Sequence, residues 1–372
     1  MTPLAELELL LRPAGGGLYA GSTGRAAQEA LQRAIYGTED VREIPAAWRR
    51  ALASLSTARV AVLGVPSDCG AGLERGAAFA PRALRAAALE ARPDFRVWAE
   101  RHGVVDVGDV AVVPQLLHDD MLSEAQKVAS RAALYPALPV AEAAGLPVSP
   151  LSLTERVIER LFDLNPALRL FVLGGDHSVA WPVVAALARH RAEPFAIVQP
   201  DAHTDLLPER LGVKYCFATW AFHANELIGR DGRLVQVGVR ASLRPREHWE
   251  GTLGVKQFWA REVAERGEPE IIDAIVAHLR ARGVRHVYFS NDIDGTDAAY
   301  APATGAPEPG GLSPGFVRAL VGRLGEAFTL IGADLMEVAP PLGAPEASRR
   351  TLEVGASYVL ASLEALVKSL DA

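Results

Sequence analysis

Two aspartate-rich segments contain the side chains of this sequence that are best suited to chemistry. Residues 201–205 read Asp-Ala-His-Thr-Asp and residues 292–294 read Asp-Ile-Asp, and each segment follows a short apolar run that is typical of a buried strand. In an extended segment alternate side chains point the same way. The first segment can therefore direct two carboxylates and an imidazole to one place, and the second can add two more carboxylates.

Four carboxylates at one place would repel each other strongly unless cations lay between them. Oxygen and imidazole ligands together suit a divalent ion such as manganese, nickel or zinc. A sixth ligand candidate, His177, follows another apolar run in a Gly-Gly-Asp-His-Ser turn. The alternative interpretation is a solvated acidic loop, the usual role of a single Asp-x-Asp. Two such clusters at strand ends, joined by His177, favour a metal site.

The elements that position these residues alternate between strand-like and helix-like stretches. Strands are predicted at 60–65, 170–173, 195–198, 234–239, 287–289 and 328–331, and helices at 80–90, 179–190, 270–282, 314–325 and 348–370. This alternation predicts an α/β protein, a three-layer α/β/α fold with a mostly parallel, doubly wound sheet. Such sheets bind ligands beyond the carboxyl ends of their strands, which is where all six candidate metal ligands fall.

Two regions lie outside this alternation. Residues 1–56 are predicted to form a mainly helical N-terminal extension, with helices near 26–36 and 45–54, and residues 57–372 a catalytic domain. The second region, residues 113–152, is rich in Ala, Pro and Leu. Both regions are candidates for oligomer contacts or for lids over the site, and plain surface elaboration is the alternative.

Composition limits the class of protein. The chain has 372 residues, a formal net charge of −7 and two cysteines, Cys69 and Cys216. The charge argues mildly against a nucleic-acid partner, and two cysteines form no disulfide framework. No apolar run approaches the roughly 18 residues of a membrane span, and the first residues lack the pattern of a signal peptide. We therefore expect a cytoplasmic protein without a membrane partner.

From about residue 59 onward the chain resembles the ureohydrolase superfamily, the arginases and agmatinases. The resemblance rests on motifs in the family's order at residues 64–68, 75–76, 80–82, 174–178, 201–205, 290–297, 310–312 and 334–337. It implies an enzyme that hydrolyses a small cationic guanidino compound to urea with two divalent metal ions per subunit, manganese or nickel. It also implies a homotrimer or homohexamer.

The resemblance also assigns the site residues individually. One ion would be held by His177, Asp201, Asp205 and Asp292. The other would be held by His203, Asp201, Asp292 and Asp294, so that Asp201 and Asp292 bridge. Asp205 would also carry a proton to the departing nitrogen. Glu337 would bind the planar guanidinium through parallel hydrogen bonds, although an ion pair with a nearby arginine is the alternative for this residue.

Several positions depart from the family's pattern around an intact ligand set. Phe217 stands where many relatives have a histidine that is thought to shuttle protons. His223 lies nearby in sequence, either as a substitute or as an ordinary surface or core histidine. Other departures from the motifs are Asn291, Ala298, Ala306 and Ala339. Because a decayed enzyme would more readily have lost a ligand, the pattern favours retained chemistry on an altered substrate.

The altered pocket has aromatic side chains in place of polar groups. Phe217 and Trp220, with Trp181, can hold a cation against their ring faces and make the cavity smaller, although core packing is the alternative for each ring. We predict free guanidine as the substrate, since the chain looks most like the guanidinase branch, with urea and ammonia as products. An agmatinase or guanidinobutyrase is the second hypothesis. A catalytically silent, metal-binding relative is the third.

Overall fold

A nine-stranded sheet runs through the centre of the molecule. The computed structural model describes residues 1–18 and 24–369. The strands are β1 (Leu11–Arg12), β2 (Val60–Gly64), β3 (Val104–Val110), β4 (Arg169–Leu173), β5 (Phe195–Pro200), β6 (Leu234–Val237), β7 (Lys256–Phe258), β8 (His286–Asp292) and β9 (Thr329–Met336). Their order across the sheet is β1-β3-β2-β4-β9-β8-β5-β6-β7. All neighbouring pairs are parallel except the edge pair of β1 and β3.

Fifteen α-helices of the described ranges accompany the sheet. They are α1 (Pro3–Leu10), α2 (Arg25–Tyr36), α3 (Ile44–Ala53), α4 (Ala80–Ala91), α5 (Phe95–His102), α6 (Glu124–Leu134), α7 (Val140–Ala143), α8 (Pro150–Leu164), α9 (Ala180–His190), α10 (Trp220–Ile228), α11 (Arg246–Leu253), α12 (Ala260–Arg266), α13 (Glu268–Ala281), α14 (Pro314–Ala327) and α15 (Pro345–Lys368). None of these helices is both long and apolar enough to cross a bilayer.

Two hydrophobic cores lie on opposite faces of the sheet. In β4, Leu170 and Val172 belong to one core, which includes residues of α1, α3, α8, α9 and α10. Phe171 and Leu173 belong to the other, which includes residues of α4, α13, α14 and α15. Because both faces are covered, β4 is apolar from Leu170 to Leu173 and does not alternate with polar residues there. The predicted three-layer α/β/α fold is confirmed.

The six predicted strands and five predicted helices of the α/β alternation are all present, with bounds shifted by a few residues. The sequence pattern does not predict β1, β3 and β7. In β3 the apolar pattern is broken by Asp106 and Asp109, and both carboxylates are buried or nearly so. They tolerate this position because Arg85 of α4 pairs with both of them.

The N-terminal segment packs onto the same core as the rest of the chain. Leu7 and Leu10 of α1 are fully buried there, and β1 extends the sheet beside β3. Trp48 of α3 donates its Nε1–H to the carbonyl of Val107 at 2.9 Å. The two helices predicted within residues 1–56 correspond to α2 and α3. The division between an extension and a catalytic domain at residue 57 stays a prediction, as does the role of residues 113–152.

The buried cation of Arg85 offers a test of how β3 and α4 are held together. Its guanidinium bonds Asp106 at 2.7 and 3.0 Å and also bonds Asp109. Arg85→Met keeps the apolar stem but leaves two carboxylates without their cation, so we expect the free energy of unfolding to fall by roughly 3–5 kcal/mol. Chemical denaturation measures this. Arg25→Met, which breaks an exposed ion pair with Glu29, is the control, and equal losses for the two variants would contradict the expectation.

Candidate metal centre and active site

Four adjacent central strands, β4, β9, β8 and β5, end at the same edge of the sheet, and each delivers predicted site residues. His177 lies in the turn after β4, and Glu337 directly follows β9. Asp292 is the last residue of β8, and Asp294 lies in the short 3₁₀ turn after it. The remaining three, Asp201, His203 and Asp205, lie in the loop after β5. Residues more than 150 positions apart in sequence therefore meet at one point.

The first group of ligand atoms surrounds the imidazole of His177. Its Nδ1 lies 2.8 Å from Asp292 Oδ2, 3.5 Å from Asp201 Oδ2 and 3.7 Å from Asp205 Oδ2. All four side chains are buried. The atoms of His177, Asp201 and Asp205 are close enough to one another to hold one ion.

The second group of ligand atoms consists of Asp201, His203 and Asp294. His203 Nδ1 lies 3.0 Å from Asp294 Oδ2 and 3.7 Å from Asp201 Oδ1. Asp201 belongs to both groups and turns one oxygen toward each, an arrangement that suits a bridging carboxylate. Asp292 directs Oδ2 to His177, while its Oδ1 accepts the backbone N–H of Asp294 at 2.9 Å. Its bridging role therefore stays a prediction.

The loop after β5 brings its three side chains together through a turn and not by the alternation of an extended strand. β5 ends at Pro200, and Asp201 Oδ1 accepts the backbone N–H of His203 at 2.6 Å. Asp205 has a left-handed backbone with φ of 52°. Non-glycine residues in this region store strain of about 1–3 kcal/mol, and such strain concentrates at functional sites.

The turn that carries His177 depends on a close approach of two backbone segments. A Cβ atom at Gly175 would collide with the carbonyl oxygen of Ser67, which is why only glycine fits this position. Asp176 then caps the turn, because its Oδ1 accepts the backbone N–H of Ser178 at 2.9 Å. The position of His177 therefore depends on the glycine at 175 and on the capping side chain of Asp176.

Ser290 and Asp334 orient the imidazole of His177 from behind. Ser290 Oγ lies 3.0 Å from His177 Nε2 and bonds Asp334 at 2.9 and 3.0 Å. When His177 donates Nε2–H to Ser290, its Nδ1 keeps a free lone pair that faces the carboxylates. An outer hydrogen bond of this kind sets the tautomer and orientation of a metal-binding histidine.

The electrostatics of the cluster favour cations. Burial, and then repulsion between neighbouring carboxylates, raises three pKa values well above the ordinary range, those of Asp201, Asp205 and Asp292. Burial lowers the pKa of His177 to about 3, so its imidazole is neutral. Burial also opposes the charge of His203, but the hydrogen bond and charge of Asp294 outweigh it and raise the pKa to about 9. Imidazoles and several buried carboxylates fit divalent ions, which would offset this repulsion.

A cavity of about 300 Å³ opens onto the ligand cluster. The predicted site residues in its lining are His203, Asp205, Asp292, Asp294, Glu337 and Phe217. More exposed side chains complete the lining, among them Leu73, Glu74 and Arg210. A small molecule in this cavity can therefore contact both the ligand cluster and Glu337.

Two hydrogen bonds to backbone groups hold Glu337 in the lining of the cavity. Its Oε1 accepts the backbone N–H of His177 at 2.9 Å, and its own N–H donates to the carbonyl of Gly175 at 2.8 Å. The backbone is left-handed, with φ of 61°. Burial, followed by repulsion from Asp176, raises the pKa of Glu337 well above its ordinary value. A bound cation would relieve this repulsion.

Trp220 lies behind the site and does not belong to the described cavity lining. It is fully buried and stacks on His177 with ring centroids 4.4 Å apart, and it donates Nε1–H to Asp205 Oδ2 at 3.0 Å. It thus positions two predicted ligands, and its contact with substrate stays a prediction. Trp181 and His223 pack against each other outside this lining.

Sequence reasoning misses the contribution of Arg210 to the cavity. Its backbone pairs with Val213 around a turn at Leu211 and Gly212, and its guanidinium lies 4.9 Å from the ring centroid of Phe217. Gly212 favours a turn, but nothing local indicates that the turn folds over the site. Glu74 is missed for the same reason.

The chain belongs to the arginase family, whose model matches residues 58–363. It is 30% identical over 298 residues to the guanidinobutyrase of Pseudomonas aeruginosa, covering 78% of this chain and 81% of that protein. It is 32% identical over 283 residues to the N(1)-aminopropylagmatine ureohydrolase of Thermus thermophilus, covering 76% and 83%. The solved proclavaminate amidino hydrolase of Streptomyces clavuligerus superposes with a TM-score of 0.63 at 28% identity, covering 83% of this chain and 92% of that one.

The predicted ureohydrolase superfamily is therefore confirmed. The protein is a hydrolase that acts on C–N bonds of guanidino compounds. Its Asp and His cluster suits the divalent metal ions of this family.

The raised carboxyl pKa values predict how metal binding depends on pH. At a pH above the ordinary carboxyl pKa, these carboxyl groups keep their protons in the metal-free folded protein but lose them in the unfolded chain. The contribution of this difference to the free energy of unfolding is therefore complete at low pH and is lost as pH rises. Metal ions replace these protons. We expect the increase in melting temperature caused by Mn²⁺ to grow between about pH 5 and 8, as measured by thermal unfolding with and without the metal.

Asp201→Asn is the reference variant for this measurement, because it removes the carboxylate that belongs to both ligand groups. We expect a smaller Mn²⁺ effect than in the unmodified protein at every pH. An Mn²⁺ effect that shrinks as pH rises would contradict the assignment of these carboxyls to the metal site.

Proposed function

We propose that this protein hydrolyses free guanidine, with guanidinium and water giving urea and ammonium. The observation that carries the proposal is the contact between Phe217 and Arg210 in the lining of the cavity. Phe217 stands where many relatives have a histidine, and the guanidinium of Arg210 lies over the Phe217 ring, 4.9 Å from its centroid. This pair narrows a cavity of about 300 Å³ that also has to hold the metal ions. A substrate with no tail fits such a space best.

In this proposal the ligand sets are those implied by the family resemblance. His177, Asp201, Asp205 and Asp292 would hold one ion, and His203, Asp201, Asp292 and Asp294 the other. The two groups of ligand atoms described above, which share Asp201, support this division. Nitrogen and oxygen donors accept both manganese and nickel, and we propose one of these two metals. When bound, two such metal ions would supply hydroxide near neutral pH, because they would lower the pKa of a bound water.

Glu337 and Asp205 would perform the remaining steps on the substrate. Glu337 Oε1 already accepts a hydrogen bond from His177, so Oε2 and the remaining lone pair of Oε1 are available for guanidinium N–H groups. Asp205 Oδ2 accepts the Trp220 N–H, which leaves Oδ1 to take a proton from the attacking water. Delivery of that proton to the departing nitrogen lets it leave as neutral ammonia.

Arg210 supports discrimination between substrates by their tails. A tail with a terminal amine, as in agmatine, would bring a second cation toward this guanidinium. The repulsion between two such charges is about 1 kcal/mol at 4 Å in water and grows as water is excluded. The carboxylate of Glu74, which also lines the cavity, partly offsets this repulsion.

A second candidate substrate is guanidinobutyrate. Arg210 is a cation in the lining with no carboxylate partner among the described residues, and a carboxylate tail could pair with it. The 30% identical relative from Pseudomonas aeruginosa is a guanidinobutyrase, which supports the same candidate.

We also propose a cytoplasmic location and a homotrimer or homohexamer. The two cysteines, Cys69 and Cys216, are both free, which suits a reducing compartment. The oligomer rests on the resemblance to the family alone.

The substrate proposal is tested by urea release from guanidine, guanidinobutyrate, agmatine and arginine, with Mn²⁺ or Ni²⁺ loaded. We expect the largest kcat/KM for guanidine and a small one for agmatine. Arg210→Ala should leave guanidine turnover nearly unchanged. It should raise the kcat/KM for agmatine relative to that for guanidinobutyrate by roughly fivefold or more, which corresponds to about 1 kcal/mol of charge interaction. Preference of the unmodified enzyme for agmatine would contradict the proposal, and no urea from any compound would favour a catalytically silent relative.

The role of Glu337 predicts a loss of activity without a loss of metal. Glu337→Gln keeps the size of the side chain but removes the charge that pairs with guanidinium, a change that costs roughly 2–5 kcal/mol. We expect kcat/KM to fall about 30-fold or more, while metal content, measured by elemental analysis, stays normal. Glu74→Gln makes the same substitution at an exposed position of the lining and is the control. Normal turnover by Glu337→Gln would exclude this role.

A further inference from the structure

Three glutamines lie side by side on neighbouring strands next to the metal site. Gln199 of β5 is aligned with Gln236 of β6, and Gln236 is aligned with Gln257 of β7. All three side chains are completely buried. None of the three belongs to the ligand set or to the cavity lining.

The three amides form a continuous hydrogen-bonded chain that ends on a metal-ligand candidate. Gln257 Nε2 donates to Gln236 Oε1 at 2.8 Å, Gln236 Nε2 donates to Gln199 Oε1 at 2.9 Å, and Gln199 Nε2 donates to Asp201 Oδ2 at 2.7 Å. At the outer end, half-buried Trp259 donates Nε1–H to Gln257 Oε1 at 2.9 Å. We call this chain the glutamine ladder.

The chemistry of its two ends determines the direction of the ladder. The indole of Trp259 can only donate a hydrogen bond, and a carboxylate such as Asp201 can only accept one. Each amide between them must therefore present its oxygen toward Trp259 and its nitrogen toward Asp201. Hydrogen bonds that run head to tail polarise one another, so the bond to Asp201 is stronger than an isolated amide would make it.

The ladder also holds the loop on which three metal-ligand candidates lie. Gln236 Nε2 donates to the carbonyl of Thr204 at 2.6 Å as well as to Gln199. Thr204 lies between His203 and Asp205. The same amide thus supports the orientation of Asp201 through Gln199 and the path of the loop through Thr204.

Burial of three amides does not stabilise the hydrophobic core, because a buried amide loses solvation free energy that only new hydrogen bonds can offset. Apolar side chains fill the adjacent positions of the same strands, such as Val198 and Val235. A row of glutamines that ends on a carboxylate is therefore better explained by that carboxylate than by the fold.

We infer that Gln199, and Gln236 behind it, are positioning residues for metal binding by Asp201. The ladder fixes the carboxylate so that one oxygen faces each ligand group, and it stabilises the charge that the metal ions need. This inference rests on the proposed role of Asp201 as a metal ligand.

The test is the affinity of the purified protein for Mn²⁺, measured by competition with a chromophoric chelator. Gln199→Met keeps the length of the side chain and removes the donor to Asp201. Loss of an outer-shell partner typically weakens metal binding 10- to 100-fold, and we expect a Kd increase of about this size. Gln236→Met, one step further from the carboxylate, should give a smaller increase. Thermal unfolding of the metal-free variants shows whether the fold itself is affected.

Gln32→Met is the matched control. Gln32 is buried and donates to the carbonyl of Ala14 at 3.0 Å, and it belongs to neither ligand group nor the cavity lining. We expect its Mn²⁺ affinity to equal that of the unmodified protein. Unchanged affinity in folded Gln199→Met would overturn the inference. If that variant does not fold, unchanged affinity in Gln236→Met would overturn it instead.

Asp201→Asn separates a failure of the ladder from a failure of the proposed site. If Asp201→Asn loses Mn²⁺ binding while Gln199→Met and Gln236→Met keep it, only the ladder inference fails. If Asp201→Asn also binds Mn²⁺ normally, the assignment of the metal ligands is itself wrong, and the inference falls with it.

Discussion

The structure is organised around the repulsion between buried carboxylates at the ends of four adjacent parallel strands. Asp201, Asp205 and Asp292 all have pKa values that burial and mutual repulsion raise well above the ordinary range. Without cations such a cluster holds protons and weakens the fold as pH rises. Divalent ions remove this conflict, so the arrangement that is unfavourable for the chain alone is favourable for the metal-loaded protein.

Several unrelated elements keep these carboxylates in place against their repulsion. Ser290 orients His177, Trp220 bonds Asp205, and Gln199 bonds Asp201. Ser290 bonds the His177 nitrogen that faces away from the carboxylates, whereas Trp220 and Gln199 bond carboxylate oxygens that lie near His177 Nδ1. The left-handed backbone of Asp205 and Glu337 shows that this positioning also involves conformational strain. The rigid sheet behind the site supplies the support that such strain requires.

The substrate end of the cavity is built differently. Leu73, Glu74 and Arg210 come from exposed loops and not from strand ends. Loops tolerate substitution far better than the elements that they connect. This division gives a physical reason why the predicted metal ligands of the family pattern are retained here while pocket positions such as Phe217 differ. It also fits the range of names among the relatives, which include a guanidinobutyrase and an N(1)-aminopropylagmatine ureohydrolase.

The sequence by itself determined the central strands and the chemical nature of the site, because both depend on patterns of neighbouring residues. Apolar runs ending in Asp, His and Gly-rich motifs are short-range features, and parallel strands bring their ends to one edge wherever they stand in the sheet. Strand order, register and loop paths are not local. Only the tertiary structure could align Gln199 with Gln236 and Gln257, place Trp220 behind Asp205, or fold Arg210 over Phe217. In each of these contacts, the sequence around one residue does not indicate which other residue it will contact.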